Sequence, residues 1–305
     1  MSATRELVAA LRRRLGEADP LPVPLAMPTI PAPPARVFPT RRARSRHADR
    51  GAEHTTALIG IGHVGTRYAT DVVLQFQAEL AVAHEAVAAI LPDEWAAGHG
   101  LLPLHTRVRD HREFLLRPDL GRRLDDESLV RLREKAARDV DVQLILADGL
   151  SAVACAGSGL ELLAQLTREC EARGWRVGTP VCAKFARVWL EDEIGQEVNA
   201  KVAAILLGER PGLGTGDGLS AYLIYGPRIG KRDGDRNMMS NIHERGTPPE
   251  QAARRLALLI DAMMRQQTSG VALDLSALAE LGEAAGTGYR APQVRERLVE
   301  LGGTR

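Results

Sequence analysis

The sequence predicts an α/β protein with a Rossmann-like, doubly wound domain, and two sets of segments indicate it. Continuous apolar runs have the character of strands that are covered on both faces; they lie at 142–148, 201–208 and 219–227. Helical stretches follow or separate these runs; they lie at 158–173, 192–198 and 248–267. A further extended run spans 176–190. Alternating strands and helices with short connections are typical of doubly wound α/β domains.

Two segments precede this globular part of the chain. Residues 1–18 are predicted to contain an amphipathic helix, because apolar side chains recur at helical spacing from Leu7 to Leu15. Residues 19–53 are predicted to be a linker, since they contain eight of the 17 prolines and a basic run at 41–50. The helix either binds a partner groove or docks on its own domain, and the basic run is either a solvated linker end or a docking strip for an acidic surface.

Residues 54–104 are predicted to be a helical segment that leads into the main domain. Their principal element is a long helix at 70–91, rich in Ala, Leu and Glu and stopped by Pro92. A loop is expected around 99–104.

Residues 105–270 are predicted to be the Rossmann-like domain itself. Near its beginning, Asp125 or Asp126 is positioned to cap a helix at 127–137. Residues 271–305 are predicted to be a C-terminal appendix.

The composition restricts the partners that the protein can have. Forty Lys and Arg against 39 Asp and Glu leave a net charge of only +1, too small to attract nucleic acid, and aromatics at 4% are too few for base stacking. No apolar stretch is long enough to span a membrane. The cysteines, Cys155, Cys170 and Cys182, lack metal-ligand spacing and are expected to be free thiols in a reducing cytoplasm.

A glycine pattern at 60–65 matches G-x-G-x-x-G, the fingerprint of dinucleotide binding. That site also requires a preceding strand and an acidic residue at the end of a second strand about 20 residues later. Glu79 and Glu85 instead fall within the predicted helix. A stand-alone NAD(P)-binding enzyme therefore stays an alternative hypothesis with little support.

Two further residues lack the context that catalysis or metal binding would need. His243 stands in the sequence NIHERG, where Asn241 occupies the position of the aspartate that orients a cobalt-ligating histidine. Ser151 is not in a G-x-S-x-G nucleophile motif. We predict no metal ligand and no catalytic residue on this chain.

The strongest signal for function is the glycine-rich loop at 208–219, GERPGLGTGDGL. It leaves the carboxyl end of a predicted buried strand, the edge at which open α/β sheets bind ligands. Glycines allow the backbone to approach a large flat ligand closely. Glu209 is placed to accept hydrogen bonds from amide groups on such a ligand.

Several motifs in the same order resemble the small subunit of ethanolamine ammonia-lyase. The similarity covers roughly residues 54–270 and is dense over the last two-thirds. The motifs are LPDEW (91–95), RPDLGRRL (117–124), DGLSA (148–152), VGTP (177–180), RVWLEDEIG (187–195), GERPGLG (208–214), SNIH (240–243) and GTPPE (246–250).

The resemblance implies a Rossmann-like subunit that helps a barrel-forming large subunit to hold adenosylcobalamin, while the radical chemistry occurs on the large subunit. It assigns the cofactor contacts to Val188, Glu209 and Met238. Met238 replaces a cysteine common in the family, and Leu80 replaces a polar residue. These departures leave open an assembly subunit that no longer binds the cofactor. The N-terminal helix and linker are similar to signals that direct enzymes into a bacterial microcompartment shell.

Overall fold

The computed structural model describes residues 61, 63–212, 216–244 and 246–276. Its centre is a six-stranded mixed sheet of strand order β1-β3-β2-β4-β5-β6. The predicted helix and linker at 1–18 and 19–53 lie outside the described residues. The strands are β1 Leu102–His105, β2 Val142–Ala147, β3 Val181–Lys184, β4 Val202–Gly208, β5 Leu219–Tyr225 and β6 Arg236–Ile242.

The helices occupy most of the positions that sequence periodicity predicts. Asp125 is the N-cap of α4, and its carboxylate accepts a hydrogen bond from the Ser128 N–H at 2.7 Å. The helices are α1 Thr70–Ala88, α2 Asp93–Gly98, α3 His111–Leu116, α4 Asp126–Lys135, α5 Leu160–Ala172, α6 Leu190–Glu197 and α7 Pro249–Gln266. A short helical turn at Ala152–Ala154 and a π-helical turn at Cys155–Gly159 precede α5.

Helices cover both faces of the sheet, which explains the continuous apolar strands. Leu144 and Leu146 of β2 pack in the cluster that includes α5 and α7. Ile145 and Ala147 point to the other face and pack with α4 and α6. Every residue of β2 is buried, Gln143 included, so the strand has no solvent-exposed face, as expected of a central parallel strand.

The α/β class is confirmed, but the sheet is not parallel throughout. Strands β1, β3, β2 and β4 run parallel, whereas β5 and β6 continue the sheet as antiparallel strands. The glycine-rich loop between β4 and β5 therefore closes a β-hairpin, whereas a parallel crossover would require a helix-length connection.

Two strands lie where the sequence did not predict any. β1 falls within the segment expected to be a loop, because its four residues include Pro103 and are too few to show a period. β6 alternates buried and exposed residues and is rich in polar side chains, as edge strands often are. The extended run predicted at 176–190 contains only the short strand β3, and α6 starts at its end.

In the part of the chain that the structure describes, no helix combines the length and the apolar character needed to cross a membrane. Cys155, Cys170 and Cys182 are all free and buried.

Candidate functional site

An open cleft of about 470 Å³ lies at the edge of the sheet where β2, β3 and β4 end. The antiparallel strands β5 and β6 form its far wall. The connection after β2 leads to α5 on one face, and the connection after β3 leads to α6 on the other. Such a divergence of neighbouring connections opens a crevice in α/β sheets. The cleft is lined by Gly149, Leu150, Ala186, Arg187, Val188, Leu207, Gly208, Glu209, Arg210, Ser220, Tyr222, Met238 and Ser240.

Two glycines allow the loops after β2 and β4 to touch through their backbones. Gly149 has a φ of +52°, and a Cβ on it would lie 2.4 Å from the carbonyl oxygen of Gly208. A Cβ on Gly208 would lie 2.3 Å from the carbonyl oxygen of Ser151. The Leu150 N–H also donates to the Gly208 carbonyl at 3.0 Å. A larger residue at either position would separate the two strand ends.

Beneath these loops, the buried carboxylate of Asp148 links the ends of β2 and β3. It accepts a hydrogen bond from the Ala186 N–H at 3.3 Å. Burial raises the pKa of Asp148 to about 6, although backbone N–H groups of Phe185, Ala186 and Gly149 oppose this shift.

Glu209 connects the mouth of the cleft to both β5 and β6. Its Oε1 accepts a short hydrogen bond from the Ser220 hydroxyl on β5 and one from the Asn241 N–H on β6 at 3.2 Å. The Glu209 N–H donates to the Gly218 carbonyl at 2.9 Å. The carboxylate is thus held at the rim with a defined orientation.

The other two residues predicted from the sequence line the same cleft. Met238 lies opposite Tyr222 in the β5–β6 register and is 51% exposed, so its side chain is accessible at the wall of the cleft. The carbonyl of Val188 accepts the Glu191 N–H at 3.2 Å. Within the described residues, the Val188 N–H has no hydrogen-bond acceptor. The structure therefore brings Val188, Glu209 and Met238 together.

A buried ionic cluster fixes strand β6 relative to α6. Arg236, two residues before Met238, donates to both carboxylate oxygens of Asp192 at 2.9 and 2.7 Å and to Glu191 at 3.2 Å. Burial raises the pKa of Glu191 well above its usual range. Arg236 is the cation that faces both buried carboxylates.

Comparisons with known proteins identify relatives of this chain. Residues 46–274 match the family model of the ethanolamine ammonia-lyase light chain (EutC). The chain is also 39% identical over 219 residues to a protein of Clostridium acetobutylicum named ethanolamine ammonia-lyase small subunit. That alignment covers 72% of this chain and 90% of the relative.

This chain belongs to the ethanolamine ammonia-lyase light-chain family. The resemblance read from the sequence motifs is thereby confirmed. The family name indicates an ammonia-lyase activity, and a light chain implies a larger partner subunit.

Membership in this family does not favour the dinucleotide-binding alternative, and neither does the local structure. Gly65 lies in a turn between Val64 and Arg67, and α1 begins soon after it. Glu79 and Glu85 lie inside α1, as expected, and α1 is followed by α2 rather than by a strand. Gly60 and Gly62 lie outside the described residues.

The side chains of His243 and Ser151 have structural partners. The Nε2 of His243 lies 2.7 Å from Asn241 Oδ1, and the residue is 1% exposed. Ser151 is the N-cap of the turn at Ala152–Ala154, and its hydroxyl donates to the Gly216 carbonyl at 2.9 Å.

Sequence reasoning missed four residues that shape the cleft. Glu191, Asp192 and Arg236 form the clamp behind Met238, and Arg187 contributes a guanidinium to the lining. The available signal was their position: each lies within four residues of Val188 or Met238 in the motifs RVWLED and DRNMM.

Proposed function

We propose that this chain is the small subunit of an adenosylcobalamin-dependent ethanolamine ammonia-lyase, and that it holds the cofactor against a large catalytic subunit. With that partner it would convert ethanolamine to acetaldehyde and ammonia. The observation that carries the proposal is the convergence of Val188, Glu209 and Met238, which are far apart in sequence, on one cleft. The family match supports the partnership.

The chemistry of the cleft suits the edge of a corrin, a broad ring with amide side chains on its rim. Gly149 and Gly208 line the cleft, and their lack of side chains permits close approach of the ring to the backbone. Glu209 offers carboxylate oxygens to amide donors, and Val188 offers a backbone N–H to an amide oxygen. Met238 presents a soft apolar surface to the ring. The cleft faces solvent, as a site completed by a second subunit must.

In this proposal the chain binds and orients and does not itself react. The bound cofactor supplies radical chemistry through its cobalt–carbon bond. Glu209 would hold one side of the ring through its fixed carboxylate. The ion pair between Arg236 and Asp192 would keep Met238 in position. Together with the large subunit, these contacts exclude water from the reacting centre. We expect no lyase activity from the chain alone.

Reconstitution tests the proposal directly. The purified chain, a family large subunit and adenosylcobalamin should form a complex with the visible spectrum of the corrinoid and with ethanolamine-dependent release of ammonia. A complex that turns over ethanolamine without any bound corrinoid would refute it. A colourless and inactive complex would instead favour an assembly subunit that has lost cofactor binding.

Replacement of Glu209 tests its assigned contact. Glu209→Ala should raise the dissociation constant of the complex for adenosylcobalamin about ten- to a hundredfold, because a hydrogen bond to a charged group contributes about 1.5–3 kcal/mol. Ser220→Ala removes one brace of Glu209 but keeps the carboxylate, so it is the matched control and should lose less affinity. An unchanged constant in Glu209→Ala would exclude Glu209 from the site.

We further propose that the parallel strands β1 to β4 are a Rossmann-like unit and that β5 and β6 are its extension.

The helix predicted at 1–18 and the linker at 19–53 support a cytoplasmic protein that is directed into a bacterial microcompartment. Residues 1–53 fused to a fluorescent protein should co-purify with shells. A fusion protein that stays diffuse in the presence of intact shells would refute this localisation.

A further inference from the structure

Arg187 places an unpaired cation in the wall of the cleft. Its Nη2 donates to the Phe114 carbonyl at 2.7 Å, and its guanidinium carbon lies 4.0 Å from the centre of the Phe114 ring. Its Nε is buried and has no hydrogen-bond partner among the residues that the structure describes. Among the described residues, no carboxylate lies within ion-pair distance of this guanidinium. A buried donor of this kind is costly unless something else satisfies it.

The position of Arg187 is built into the fold. The backbone N–H of Arg187 donates to the Gly121 carbonyl at 2.8 Å, and a Cβ on Gly121 would lie 2.8 Å from Arg187 Cγ. Glycine at 121 therefore makes room for the Arg187 stem. The side chain is held between this backbone and the ring of Phe114, so its entropy cost is already met before any ligand arrives.

Two more arginines add positive charge near Arg187. Arg210 follows Glu209 at the rim of the cleft and is exposed. Arg122 lies with its guanidinium carbon 4.4 Å from the centre of the Trp189 ring. In the described part of the chain, neither has a carboxylate within ion-pair distance. Burial, and then the charges of Arg122 and Arg210, lower the pKa of Arg187, while Asp148 opposes this shift.

We propose that Arg187 and Arg210 form an anion subsite of the cleft, which takes a phosphate ester on the ligand. A guanidinium presents several N–H donors in a planar fork that matches phosphate oxygens. The inference rests on the proposed function, because cobalamin carries such a group: a phosphodiester joins its corrin side chain to its nucleotide. Glu209 would then bind the neutral amide groups at the edge of the corrin, and the two arginines would bind the phosphodiester.

Two corrinoids that differ by one phosphate isolate this contact. The apo complex of the full chain with its large subunit is titrated with adenosylcobinamide and with adenosylcobinamide phosphate, and binding is followed by calorimetry and by the corrin spectrum. The phosphate form should bind about ten- to a hundredfold more tightly. Arg187→Gln and Arg210→Gln should each reduce that ratio by at least severalfold. Arg228→Gln, at the opposite edge of the sheet, removes the same charge and should leave the ratio unchanged.

The outcomes separate this inference from the function on which it rests. If adenosylcobalamin itself, titrated alongside, does not bind the apo complex, the proposed function fails. If it binds and the phosphate form does not, the anion subsite is wrong. If both cobinamides bind with equal affinity, or if the ratio survives both substitutions, the function stands and the anion subsite is wrong. If the arginine variants weaken the association with the large subunit in the absence of corrinoid and leave the ratio intact, the arginines pair with an anion on the partner, and the inference is again overturned. Arg210 is exposed, so its variant answers the question even if Arg187→Gln does not fold.

Discussion

Arg236 on β6 donates two hydrogen bonds to the carboxylate of Asp192 on α6, at 2.9 and 2.7 Å, and both side chains are 3% exposed. This pair joins the edge strand β6 to a helix on the face of the sheet. Because Met238 follows Arg236 by two residues on the same strand, the pair also determines where one wall of the cleft lies.

Removal of the guanidinium should be severely destabilising. Arg236→Met would leave Asp192 buried without a cation, and breaking a buried pair in this way costs roughly 3–5 kcal/mol. The free energy of unfolding in urea measures it. Arg133→Ala breaks the more exposed pair with Glu197 and should cost less than about 1 kcal/mol. Equal losses in the two variants would contradict the assigned role of burial.

Gly149→Ala should destabilise the protein by more than the conformation of the residue alone explains. Positive φ costs an alanine roughly 1 kcal/mol or more, and the contact at 2.4 Å with the Gly208 oxygen adds roughly 1–3 kcal/mol. Gly174→Ala is the matched control, because Gly174 also has positive φ but has no atom within 4 Å of its Cβ position. Thermal unfolding of both variants gives the difference, and similar Tm losses would refute the steric argument.

Asp148 should make stability depend on pH in a direction opposite to that of a paired carboxylate. Its pKa is about 6 in the folded chain, against 3.8 for an aspartate side chain fully exposed to water. Between pH 4 and pH 6 the unfolded chain therefore releases this proton first, and stability falls by up to about 3 kcal/mol as pH rises. Asp148→Asn lacks this titration.

The stability of Asp148→Asn relative to the unsubstituted protein should accordingly rise between pH 4 and pH 7. Urea unfolding of both proteins across this range measures the difference, in which other titrating groups cancel. A difference that stays constant with pH would show that Asp148 keeps an ordinary pKa.

The three thiols should be inert until the protein unfolds. Burial raises the pKa of Cys170 and of Cys182 to about 12 and that of Cys155 well above its usual range. At pH 8, Ellman's reagent should label them only at the rate of unfolding, and three thiols per chain should appear in denaturant. Rapid labelling of any one thiol in the folded protein would contradict its burial.

Much of the fold could be predicted because local signals are strong there. α5 and α7 follow a helical period, Asp125 is a cap three residues before the amide that it binds, and β2 and β4 are unbroken apolar runs. β1 and β6 were missed because edge strands are short or half polar, so they carry no such pattern.

The amino-acid sequence by itself determined the α/β class, the family and the three residues expected at the cleft, Val188, Glu209 and Met238. The class follows from periodicity, whereas the family and the three residues are what the resemblance of the motifs implies; both signals lie in neighbouring residues. Only the tertiary structure decided that β5 and β6 run antiparallel, that Arg236 pairs with Asp192, and that one donor of Arg187 has no partner in the described part of the chain. Strand direction, ion pairing and burial depend on contacts between segments far apart in the chain, and no local pattern of residues encodes them.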